Sequence, residues 1–74
     1  MPTNDERGER GRAILEVYAL RFGDPYDPSA NLTDVITDLM HAAIRHPELG
    51  LNFQDCFEMA RWHFEAETEE YLDV

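Results

Sequence analysis

Two carboxylates and two imidazoles have the types and spacing of a catalytic or metal-binding set. Asp38 and His41 stand three residues apart in one segment, and His63 and Glu67 four apart in another, the intervals that bring side chains to one face of a helix. Facing one another across a helix pair, the four would make an acid–base pair or the ligands of a divalent ion, the chemistry of a small metal-binding or acid–base enzyme. That requires His41 and His63 to share one space. On a helical wheel, Asp34, Asp38, His41 and Arg45 fall within about 60° of one another and nearly opposite the apolar stripe of their segment, whereas His63 borders the apolar face of its own. The wheel therefore predicts a solvated face for the first group, and for His63 a neutral imidazole satisfied by Glu67 one turn on. Cys56, the single cysteine, lies on the apolar stripe with no basic neighbour in sequence to lower its pKa, so a nucleophilic thiol is not expected. No cofactor, metal or catalytic residue is assigned.

The elements that must hold these groups read as an all-α domain of three helices, over about 4–22, 32–45 and 53–71. Thr3 or Asn4 caps the first, with Asp5 and Glu6 in the turn where the helix dipole favours acids. Gly8 and Gly11 weaken that start by about 1 kcal/mol each, which predicts fraying before Arg12. Ile14, Val17, Tyr18 and Phe22 then form one apolar face, flanked by Leu15 and Leu20, until Gly23 ends the helix. Pro25 and Pro28 make residues 23–30 a loop. Asn31 reads as the cap of the second helix, with Asp34 three positions on. Leu32, Val35, Ile36, Leu39, Met40, Ala43 and Ile44 form the strongest periodic signal in the chain, and Pro47 stops the helix. Asn52 and Asp55 repeat the cap pattern before a third helix whose face carries Phe53, Cys56, Phe57, Ala60, Phe64, Glu67 and Tyr71. The expected architecture is an antiparallel hairpin of helices 2 and 3 crossed by helix 1, a single domain over 1–74.

Composition limits what such a domain does. A chain of 74 residues buries only about 60% of its unfolded surface, and a lone cysteine offers no internal disulfide, so a homodimer is a reasonable expectation, and a plain dimerisation module or accessory subunit of a larger complex is an alternative function. Its 16 acidic and 6 basic residues give a formal charge of -10, which opposes direct contact with nucleic acid or anionic lipid and favours a basic protein surface. Residues 1–23 hold four arginines and four acids, so the whole net charge falls after them. No apolar run approaches the roughly 18–20 residues of a membrane span, and the charged start is unlike a secretory signal, so a cytoplasmic location is expected.

Trp62 fits the hairpin least well. It lies about 180° from Phe53 on the wheel, beside Asp55 and Glu58, so it requires either a cover from helix 1 or an intermolecular contact with Met59 and Ala66. The run Glu65, Glu67, Glu69, Glu70 and Asp73 crowds acids at a helix C-terminus, where the dipole disfavours them. A solubilising end explains this simply; alternatively, carboxylates spaced along a helix imitate a nucleic-acid backbone and occupy an arginine-lined groove. The candidate partner-binding residues are accordingly Asp34, Asp38, His41, Trp62, Glu65, Glu69 and Glu70, with Asp38, His41, His63 and Glu67 as the metal alternative.

The string from Asn31 to His41, followed by Asn52-Phe53 and by Met59 to Glu67, resembles small acidic helical proteins encoded by bacteriophages, plasmids and other mobile elements. The shared pattern is Asp-Leu-x-His on one helix and His-aromatic-x-x-Glu on the next, here Asp38, His41, His63, Phe64 and Glu67. The likeness covers about half of the chain. It implies an inhibitor of host defence, of anti-CRISPR or anti-restriction type, that blocks a basic nucleic-acid-binding surface of a host complex.

Overall fold

The computed structural model describes residues 2–72, with side chains to residue 68. Three helices are present, α1 (Asn4–Arg21), α2 (Pro28–Arg45) and α3 (Phe53–Leu72), with a 3-10 turn at Pro47–Leu49 and no strand among the described residues. The all-α, three-helix expectation holds, and α1 packs against both other helices. No described helix is long and apolar enough to cross a membrane.

Local chemistry accounts for most of the boundaries. Thr3 accepts from the Glu6 amide at 3.1 Å while the Glu6 carboxylate reaches back to the Thr3 amide at 3.4 Å, a reciprocal cap that satisfies two free N–H groups. At α3, Asn52 accepts from the Asp55 amide at 3.1 Å, as the sequence predicts. Gly50 takes φ 65°, ψ 31°, a left-handed conformation that a residue with a Cβ adopts only with strain. It turns the chain from the 3-10 segment toward α3.

The start of α2 differs from expectation. The helix begins at Pro28, not near Leu32, and its cap is Asp27, which accepts from the Ala30 amide at 3.0 Å. Proline fits the first helical position because its missing N–H would be unpaired there in any case, and its fixed φ suits the helix. Asn31 is thereby released from capping and does something else. At 4% exposure it is the sole buried residue among those described. Its Oδ1 accepts from the Asp24 amide at 2.9 Å and its Nδ2 donates to the Asp24 carbonyl at 2.7 Å, so one side chain fixes the α1–α2 loop. Gly23 makes room for it: a Cβ there would lie 2.9 Å from Asn31 Cγ.

α1 is helical from Asn4 onward, and its start is tied to α3. Asn4 Nδ2 donates to the Glu67 carbonyl at 3.0 Å, and Arg7 pairs with the Glu67 carboxylate at 3.3 Å. These long-range ties, with the cap, hold helical the turns that Gly8 and Gly11 weaken.

The three helices enclose very little. No apolar side chain is buried among the described residues, and fifteen large ones are exposed. Leu15, Tyr18 and Ala19 of α1 are half-buried, whereas Ile14, Val17 and Phe22 of the predicted inner face lie open. Along α2, Val35, Ile36 and Ala43 are half-buried, while Leu32, Leu39, Met40 and Ile44 are exposed. On α3, Phe53 and Glu67 of the expected stripe are half-buried; Cys56, Phe57, Ala60 and Phe64 are exposed, and the side chain of Tyr71 lies outside the described residues. The radius of gyration is 14.3 Å, against about 11 Å for a compact domain of this length.

Candidate functional site

The four residues of the candidate chemical site are engaged separately. Asp38 is exposed, as expected for a solvated face, and also accepts a 2.6 Å hydrogen bond from the Tyr18 hydroxyl of α1, which ties it to the α1–α2 contact. The Tyr18 phenol is pushed up to about 12, first by that hydrogen bond, then by desolvation and the nearby charges of Asp38 and Asp34, all of which oppose phenolate. Glu67 is held by Arg7 and not by His63, contrary to the expected pairing. His63 is exposed, its ring edge-on to Trp62 with centroids 5.3 Å apart. His41 lines a shallow hollow with Asp38, Ala42, Arg45 and His46. Among the described residues, no three His, Cys, Asp or Glu side chains are grouped to hold a metal ion.

Two other kinds of surface are well developed. The first is acidic. Asp34, Asp38, Asp55 and Glu58 are exposed, and among the described residues none of them makes an ion pair. Glu65 pairs with Arg61 one turn back at 3.0 Å, in the open. The arginines of α1 are partly spent on their own helix, where Arg12 bridges Glu9 and Glu16 at 3.1 and 2.9 Å. The hydrogen bonds that Arg12 donates to the Glu9 carboxylate, and the charges of both acids, raise the Arg12 pKa further. The negative charge after residue 23 is thus left largely uncompensated from within. Glu65 belongs to this surface; the side chains of Glu69 and Glu70, and all of Asp73, lie outside the described residues.

The second surface is apolar. Ala13, Ile14, Val17 and Tyr18 of α1 and Phe22 at its C-cap line an open groove of about 360 Å³ with Val35 of α2. On the other side of α2, Ile36 and Met40 line a groove with Phe53 and Phe57 of α3, rimmed by Gln54, Glu58 and Arg61. Leu32 and Leu39 fall between Val35 and Ile36 on the α2 wheel, so the stripe runs unbroken from one groove to the other.

Trp62 is 63% exposed and shares a hollow with Asp55, Glu58 and Met59 of its own helix, so α1 does not cover it. The cover from helix 1 that the sequence allows is not formed. The open α1 and α2 faces were read as core, because a periodic stripe looks the same whether it is covered by its own chain or by another.

Comparison of the chain with protein-family models, with curated proteins and with solved structures finds no match.

Proposed function

We propose that this chain is a non-enzymatic interaction protein whose acidic helical surface engages a basic surface of a partner protein. The observation that carries the reading is that Asp34, Asp38 and Asp55 are exposed and make no ion pair among the described residues, in a chain of charge -10. Such a surface repels nucleic acid and attracts cationic groups. Asp34, Asp55, Glu58 and Glu65 supply exposed carboxylates, and Trp62 supplies an aromatic anchor of the kind that carries binding energy. Asp38 and His41 border the same side of α2. Size, charge and the likeness to mobile-element proteins favour one form of this role: a nucleic-acid mimic that occupies the basic groove of a host defence complex, as an anti-CRISPR or anti-restriction protein would.

Affinity capture from host lysate at about 0.05 M and about 0.5 M salt tests the reading, since exposed charge pairs are screened over about 10 Å at 0.1 M. The expected result is retention of a basic nucleic-acid-binding protein at low salt, its loss at high salt, and competition by duplex DNA. A partner retained equally at both salts and indifferent to DNA would refute the acidic-surface mechanism.

A further inference from the structure

We propose that the open face of α2, with the walls that α1 and α3 give it, is the interface of a homodimer, so that each copy supplies the core the other lacks. The argument begins with area. A compact monomer of 8.6 kDa exposes about 4,700 Å²; this chain exposes 6592 Å², an excess of roughly 1,900 Å² by the same relation. Two copies each burying that excess remove about 3,800 Å² together, within the range of roughly 2,000–5,000 Å² typical of obligate homodimers.

Charge selects the face. Two chains of charge -10 repel one another, and contact through their acidic surfaces is unfavourable. The α2 stripe of Leu32, Val35, Ile36, Leu39, Met40 and Ala43 carries no charge, and Leu32, Leu39 and Met40 on it are exposed. It is the longest uncharged surface two such copies share. Bringing one stripe against its own copy across a two-fold axis places identical apolar residues in contact, the isologous arrangement of most dimers. The two flanking grooves then receive side chains of the partner's α2, with Glu58 and Arg61 at the rim of the α3 groove, and the carboxylates of Asp34 and Asp55 stay outward.

The interface is apolar and the proposed partner site acidic, so salt moves them in opposite directions. Screening the repulsion between copies strengthens the dimer, whereas it weakens binding to a basic partner. The two proposals therefore fail separately.

Sedimentation equilibrium over about a hundredfold range of concentration, at low and at moderate salt, tests the dimer. The expected result is a species of twice the 8.6 kDa chain mass whose fraction rises with salt. Leu39→Glu, which places a charge at the centre of the stripe, should raise the dissociation constant about a hundredfold or more. Asp34→Ala, off the stripe, should leave it unchanged or slightly tightened. A wild-type chain that stays helical at the single-chain mass throughout overturns the proposal without recourse to any variant. So does a Leu39→Glu chain that still dimerises, or a wild-type dimer that dissociates as salt rises.

Discussion

Replacing Asn31 by Ala should be the most damaging single change in the α1–α2 half of the molecule. The side chain is 4% exposed and makes two hydrogen bonds to the backbone of Asp24, at 2.9 and 2.7 Å. Each such bond contributes about 1 kcal/mol net, and truncation leaves the Asp24 amide and carbonyl with only solvent to satisfy them. A loss of about 2–3 kcal/mol follows. For a domain of this length that lowers the thermal midpoint by about 10–20 °C at fixed chain concentration. Circular dichroism melts and urea titrations measure it directly. Asn31→Asp sharpens the test, because a carboxylate keeps the acceptor for the Asp24 amide but sets an anionic oxygen against the Asp24 carbonyl. At pH 7 it should cost at least as much as Asn31→Ala, and it should recover part of that loss below about pH 4, where a protonated acid donates again. A midpoint within about 2 °C of wild type for Asn31→Ala, or an Asn31→Asp variant as stable as wild type at pH 7, would refute the assignment of this side chain as the clasp of the loop.

Gly23→Ala forces a methyl group toward the Asn31 carboxamide and should cost about 1–3 kcal/mol in denaturant unfolding; in an Asn31→Ala background the cost should largely vanish, and additivity of the two would contradict the shared contact. The Tyr18 phenol, raised above its ordinary value to about 12, adds stability that is fully present below about pH 10 and is lost as pH rises through the folded value. Absorbance titration near 295 nm should show a component with a midpoint near 12 that Tyr18→Phe removes, and a missing component centred near 10 would contradict the Asp38 contact. Arg7→Ala, which frees Glu67, should speed amide exchange in the first two turns of α1 while changing global stability by less than about 1 kcal/mol; unchanged exchange there would show that the tie does not hold the helix start.

What the sequence disclosed and what it hid divide along a physical line. Features decided within a few residues were legible: the Thr3 cap, the Asn52 cap, the stop at Pro47 and the three periodic segments all follow from local bonding and pattern. The start of α2 was misread because Asn31 is as good a cap by type as Asp27. Which of the two caps depends on whether Asn31 is needed elsewhere, here by Asp24, which is a tertiary fact. Asp38 and Glu67 were singled out by spacing, yet their partners, Tyr18 and Arg7, lie 20 and 60 residues away, beyond any spacing rule. The stripes lie on the three predicted segments, but the pattern alone does not tell how deeply a stripe is buried, and here most of their large side chains are exposed.

The central claim is that this chain completes its apolar burial between molecules, and the thermal midpoint as a function of chain concentration tests it without variants or a known partner. If folding and association are coupled, raising the concentration about a hundredfold contributes about 2.7 kcal/mol and lifts the midpoint of the pure protein by about 9 °C. A midpoint that stays constant across that range, with a single cooperative transition, would contradict the account.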